Sequence, residues 1–327
     1  MTQIISLINA AVVFGTVILY GSLGEILTEK VGNLNLGVPG IMYLGGIAGL
    51  AGTFFYEMGN PNPTPIVCVL IALVCAFAAA ALGGLIYSFL TITLRTNQNV
   101  TGLTLTIFGS GVANFFGGSL NKLAGGVGQI SVAVTSEAFR AKIPVLSKLG
   151  AVGEIFFNYG FLMYAALVLA LAVHIFLNKT RHGLNLRAVG ENPGTADAAG
   201  IHVTRYKYMA TCIGAGISGL GGLYYVMDYI RGTWANDGTI ESLGWLAVAL
   251  VIFATWKPMS AVWGAYLFGC LSRLCFYMPG LNRNTMELFK ILPYLVTIVV
   301  LVVVSMRKKR ENYPPASLGL AYFREER

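Results

Sequence analysis

Long apolar runs separated by short polar breaks set the organisation of this chain. A helix needs about 20 apolar residues to cross a bilayer. On that measure the runs predict spans at Ile4–Gly24, Leu36–Phe55, Ile66–Leu94, Val100–Gly117, Ile155–Leu177, Tyr208–Ile230, Ile240–Trp256, Ala261–Met278 and Phe289–Met306. This makes about nine transmembrane helices, in a range of eight to ten, and an all-α polytopic membrane fold. Ile66–Leu94 is long for one crossing and is expected to tilt or to extend beyond the hydrocarbon. The longest polar break of the C-terminal half, Asn178–Lys207, carries Lys179, Arg181, Arg187, Arg205 and Lys207 against Glu191 and Asp197.

Composition agrees with the pattern. The chain is 56% hydrophobic and 11% charged, with a mean hydropathy of +0.69, whereas soluble domains are about 25% charged. A net charge of +8 in a soluble protein would suggest a nucleic-acid partner. Here the basic residues gather in the 178–207 break and in Arg307–Arg310, where they anchor membrane segments on the cytoplasmic side. The surroundings are therefore membrane lipid, with no nucleic-acid partner. The expected division is a membrane-spanning domain, 1–306, and a basic cytoplasmic tail, 307–327. Four predicted spans separate the two basic stretches, which places both on one side. Counting back puts Arg95–Asn99 and Glu25–Asn35 inside, the N-terminus outside, and Gly118–Glu154, with Lys122, Arg140, Lys142 and Lys148, outside. No Lys or Arg precedes Lys30, so the first run reads as a retained helix rather than a signal peptide.

Several features read as packing. The cysteines (Cys68, Cys75, Cys212, Cys270, Cys275) lie inside apolar runs and form no metal-ligand spacing. Ala78–Gly84 and the stripe Gly214, Ser218, Gly222 predict close helix approach in lipid. Trp234, Trp245, Trp256 and Trp263 fall near span ends, where interfacial anchors belong.

The 178–207 break also holds a short helix signal. Asn192 is an N-cap candidate, Pro193 suits the first helical position, and Gly200 suits a C-terminal stop. A short helix with a small-residue surface, Gly194–Ala199, on a basic cytoplasmic loop is expected to dock another protein. No Walker loop, nucleophile elbow or zinc-protease motif occurs, and there are only His174, His182 and His202. No catalytic set, metal site or cofactor is expected. Asp228 is the one acid placed clearly inside a predicted span, with Glu25, Glu57 and Glu241 at span edges. That is a poor proton relay, which disfavours an ion-coupled carrier. Polar residues after Arg95 (Asn97, Gln98, Asn99, Thr101, Thr104, Thr106, Ser110 and Asn114) lie beside Phe108, Phe115 and Phe116. They fit either a translocation path at a helix break or interhelical hydrogen bonding.

RAVGENPGTADAAGI followed by GAGISGLGG resembles the cytoplasmic loop and following helix of ABC-importer permeases of the branched-chain amino acid, ribose and nucleoside family. GEILTEKVGNLNLGVPGIM (Gly24–Met42) and RTNQNVTGLTLTIFGSG (Arg95–Gly111) are similar to blocks of its nucleoside branch, the one associated with basic membrane lipoproteins. A Glu often stands there in place of Pro39. The resemblance implies a prokaryotic plasma-membrane permease for nucleosides, powered by separate ABC ATPase subunits and fed by an extracytoplasmic substrate-binding lipoprotein. It also implies a second permease, either a second copy of this chain or, as nucleoside-type systems often use, a related non-identical chain. Glu191, Asn192, Pro193, Thr195, Ala196, Asp197 and Gly200 would form the ATPase-coupling element. Asn97, Gln98, Asn99, Thr101, Thr104, Phe108 and Asn114 would line the path. Monosaccharides or branched-chain amino acids are the rival substrates within the family, and an ion-coupled secondary transporter is the rival outside it.

Overall fold

A computed structural model of the chain describes residues 2–123, 125–126, 130–142, 155–278, 282–307 and 313–323. Among them there is no β-strand, only an isolated antiparallel bridge between Ser131 and Thr233. The helices are α1 (Thr2–Lys30), α2 (Val38–Gly59), α3 (Pro65–Ser88), α4 (Gln98–Leu123), α5 (Ala133–Phe139) and α6 (Phe161–Lys179). They continue as α7 (Arg181–Glu191), α8 (Pro193–Ala198), α9 (Val203–Tyr224), α10 (Thr239–Phe253), α11 (Pro258–Leu274), α12 (Arg283–Phe289) and α13 (Leu292–Arg307). Both α3 and α9 end in a π-turn, Phe89–Thr93 and Tyr225–Tyr229.

Eight of the described helices are long and apolar enough to cross a membrane. The remaining predicted span, Ile240–Trp256, is the 15-residue α10, about 22 Å long at 1.5 Å per residue. It ends where Thr255 and Trp256 turn left-handed, at φ 51° and 55°. The innermost helices are α9 and α2, with 78% and 72% of their apolar windows buried, against 11% for α13. Small residues make this centre possible. A Cβ on Gly214 would sit 2.4 Å from the Gly24 carbonyl oxygen, so α1 and α9 touch backbone to backbone. Likewise α2 and α4 meet at Gly40 and Gly109, where a Cβ on Gly109 would lie 2.3 Å from the Gly40 carbonyl oxygen. In lipid, where apolar burial gives little drive, such close approach supplies dispersion contact.

Several expectations are corrected. The first helix runs past Gly24 to Lys30, so Glu25 and Glu29 are helical and buried rather than looped out. Asp228 is therefore not the lone acid inside a helix of the bundle. The break 178–207 is largely helical, through α7, α8 and the start of α9, and Lys207 is buried. Trp234 and Trp256 are buried, while Trp263 is 79% exposed and free to act as an anchor. The Trp256 indole N–H donates to buried Glu29 within the bundle, whereas that of Trp234 donates to Asn236, an exposed residue two positions on.

The segment expected outside, Gly118–Glu154, contains the end of α4 and the short α5. The Thr135 amide in α5 donates to Glu57 at 2.8 Å. Its residues 143–154, Lys148 included, lie outside the described residues, as do Lys308–Arg310. Residues 313–323 do not extend as a free tail. They fold back as a strap at the α7–α8 end of the bundle.

Candidate functional site

The helix expected to dock a partner is built from cap to cap. Thr180 caps α7, its hydroxyl oxygen accepting from the Gly183 amide at 3.1 Å. Asn192 ends α7 and starts α8 with extended backbone, φ −150° and ψ 95°. Its Oδ1 accepts from the Thr195 amide at 3.0 Å, and Pro193 occupies the first turn, where no amide is needed. At the other end Gly200 adopts φ 82°. Its amide reaches the Asp197 carbonyl, and the Ile201 amide reaches that of Ala196, each at 3.0 Å. This pair of bonds is a Schellman stop, which only a left-handed residue closes easily.

Within α8 the side chains divide. Ala196 is buried, Pro193, Gly194 and Asp197 are half-buried, and Thr195 is exposed together with the flanking Glu191, Asn192 and Gly200. A single small apolar side chain seats the helix, and a polar and small-residue face is left open. The seat is firm. A Cβ on Gly190 would lie 2.1 Å from the Lys30 carbonyl oxygen, so α7 ends directly on the end of α1. The Gly190 carbonyl accepts from the Ser317 amide at 3.0 Å and its hydroxyl at 2.6 Å. Tyr206 ties α9 to α7 through Asn185 at 3.0 Å and His182 at 3.1 Å. The C-terminal end of α7 thus rests on the end of α1, and α7 is tied to the start of α9.

The connection between α1 and α2 forms a buried polar knot at the same end, and the sequence reading missed it. Asn33 donates to Thr211 at 2.8 Å, the Leu34 amide to Gln98 at 2.7 Å, and Tyr87 to the Leu34 carbonyl at 2.5 Å. The Asn35 amide donates to Glu25 at 3.1 Å, and Asn35 in turn accepts from the Gly37 amide at 2.9 Å. Thr106 closes the set on the Leu36 carbonyl at 3.0 Å. Each such bond is worth about 1 kcal/mol net, and more is lost when one partner is left buried alone. The signal available in sequence was Asn33 and Asn35 between apolar neighbours, which needed buried partners.

The residues expected to line a path do not share one surface. Gln98 and Thr101 turn inward, Gln98 into the knot. Asn97 caps α4, accepting from the Val100 amide at 3.1 Å. Asn97, Thr104 and Phe108 follow an exposed stripe of α4 that continues to Phe115. Asn99 is exposed off that stripe. Asn114 is half-buried, and its Oδ1 meets no protein donor. The stripe therefore offers a hydroxyl, an amide and aromatic faces outside the packed bundle. Among the described residues no cluster of His, Cys, Asp or Glu is arranged to hold a metal.

Comparison with known proteins decides the class. Residues 6–301 match the family model described as branched-chain amino acid transport system / permease component. The chain belongs to this permease family. The permease is similar to the putative glucose ABC transporter permease protein TsgC13 of Haloferax volcanii, 32% identical over 98% of each chain. It is also similar to the guanosine ABC transporter permease protein NupQ of Bacillus subtilis, 30% identical over 92% of each. The nucleoside ABC transporter permease protein NupC of Lactococcus lactis is 29% identical, covering 88% of this chain and 89% of its own. No solved structure matches the permease. It is a transport subunit rather than an enzyme, and the ATPase is a separate subunit.

Proposed function

We propose that this permease forms half of a nucleoside import path and that an ABC ATPase drives it through α8. The observation that carries the reading is the capped, small-surfaced α8, seated by Ala196 and joined through Gly190 to the end of α1. A helix of six residues has no stability of its own, so caps at both ends support a rigid contact. Glu191, Asn192, Pro193, Thr195, Ala196, Asp197 and Gly200 are the coupling residues of this reading. The α7–α8 end faces the cytoplasm, in keeping with its basic residues, and the strap lies there with it.

The exposed stripe of α4 supports a path completed by a second permease, with Asn97, Thr104 and Phe108 toward the solute. Gln98 and Thr101 hold that helix in place instead. Nucleosides and hexoses are both neutral polyols, but a purine also presents a flat face for Phe108 and Phe115 to stack on. Likeness to NupC and NupQ supports nucleosides, and likeness to TsgC13 supports glucose as the second reading. A substrate-binding lipoprotein would deliver the solute at the opposite end of the bundle. The test is uptake of labelled guanosine and labelled glucose by cells carrying the complete importer or lacking its ATPase. ATPase-dependent guanosine uptake, undiminished by excess glucose, is the expected result. Glucose uptake without guanosine uptake overturns the substrate assignment.

A further inference from the structure

Near α8 a cavity of about 200 Å³ lies between the π-turn of α3, Arg95, the first turns of α9 and the strap. Its walls are rich in donors: Arg95, Gln98, His202, Thr204 and Lys207. Lys207 is 2% exposed, and no described residue gives it a hydrogen bond or an ion pair. Desolvating an ammonium without a counter-charge is costly, so Lys207 gains from an anion brought into the cavity. Asp197 lines the same cavity, and its carboxylate accepts from the Tyr322 hydroxyl of the strap at 3.0 Å. Gln98 spends its carbonyl on the Leu34 amide and keeps its NH₂ donors.

Arg95 supplies an independent observation. It holds φ 59°, a left-handed backbone that a non-glycine residue adopts at a cost. The guanidinium lies at the lip of the cavity, 3.9 Å from the ring centre of Phe323 in the strap. A stacked guanidinium keeps its in-plane N–H groups available, the fork that suits phosphate oxygens. Size narrows the ligand further. Pockets for drug-sized molecules run to roughly 300–1,000 Å³, so this one suits a phosphate group rather than a nucleoside or nucleotide.

We propose that this cavity binds a phosphate group between Lys207 and Arg95, and that occupancy clamps the strap beside α8. The phosphate comes from solution or from an anionic lipid headgroup. The π-turn of α3 and the start of α9, which line the cavity, also carry or adjoin exposed apolar side chains, Phe89, Leu94 and Met209, which suit contact with lipid. The site stands on geometry alone, and only its consequence for coupling rests on the role proposed for α8.

The test uses the full chain purified in detergent, without transport. Calorimetry with inorganic phosphate reads the soluble source. Native mass spectrometry after incubation with phosphatidylglycerol, using phosphatidylcholine as control, reads the lipid source. The wild-type chain is expected to bind in at least one arm, and Lys207→Met and Arg95→Gln each to weaken that binding at least tenfold. Without anion, Lys207→Met is expected to melt higher than wild type, since it removes the uncompensated charge. Should that variant fail to fold, exposed Arg95→Gln carries the test. No binding in either arm, or binding that survives Arg95→Gln unchanged, overturns the proposal and leaves the reading of α8 intact.

Discussion

Replacing Asn192 with alanine removes one atom group that matters, the Oδ1 that accepts from the Thr195 amide at 3.0 Å. Asn192 is exposed, so no cavity forms and no packing is lost. Loss of an N-cap of this kind costs about 1 kcal/mol, in a range of roughly 0.5–2. At about 1.4 kcal/mol per tenfold, that shifts the local folded-to-frayed ratio of α8 roughly fivefold. The rest of the bundle does not depend on this bond. Global melting is therefore expected to move little, while amide exchange over residues 193–200 rises roughly fivefold. ATPase-driven uptake is expected to fall several-fold, because a frayed α8 no longer transmits displacement to the ends of α1 and α9. Asn192→Asp, which keeps an acceptor at the cap, is expected to retain most of both. Hydrogen exchange by mass spectrometry, together with uptake by the complete importer, reads each effect. Unchanged exchange would refute the capping argument, and raised exchange with undiminished uptake would refute the transmission argument.

Other changes probe the remaining parts. Gly214→Val pushes a side chain into the Gly24 backbone, and overpacking of about 1–3 kcal/mol is expected to lower Tm and yield of folded protein. Trp256→Phe removes the donor to Glu29, which is 2% exposed. Leaving that carboxylate short of a bond costs about 1–3 kcal/mol, to be read as a lower Tm, with Leu162→Met on another face as a control. Thr104→Val and Phe108→Ala lie on the exposed stripe of α4, so Tm is expected to hold. KM for uptake is expected to rise roughly 3–10-fold, about 1 kcal/mol of lost contact; an unchanged KM would make the stripe a lipid or packing surface.

What the sequence made legible was local. Asn192, Pro193 and Gly200 announce their helix within nine consecutive positions, and each signal acts through neighbouring backbone. The apolar runs are equally local, and they gave the helices of the bundle and their order. The misreadings concern groups whose burial the local pattern does not show, and for Glu29 and Trp256 the partners lie far along the chain. Glu25 and Glu29 read as the end of a span because two acids in a row of turns belong in water. The bundle holds them with the Asn35 amide and with Trp256, the latter 227 positions away. Trp256 in turn read as an interfacial anchor, since its acceptor was not visible. Lys207 read as part of a solvated loop, and only the fold reveals that it is buried at the start of α9. For α4, composition identified the polar residues, but their division between the knot and the open stripe depends on α2 packing through Gly40 and Gly109.

Site-directed photo-crosslinking from α8 tests the central claim most directly. A photoreactive amino acid at Ala198, exposed on the open side of the helix, would be introduced in cells expressing the whole importer, with an equivalent probe at exposed Trp263 as the control. The account predicts a covalent adduct with the nucleotide-binding subunit from position 198 and none from position 263. Absence of that adduct in a permease that still transports in an ATPase-dependent way would contradict it, and would place the drive elsewhere than on α8.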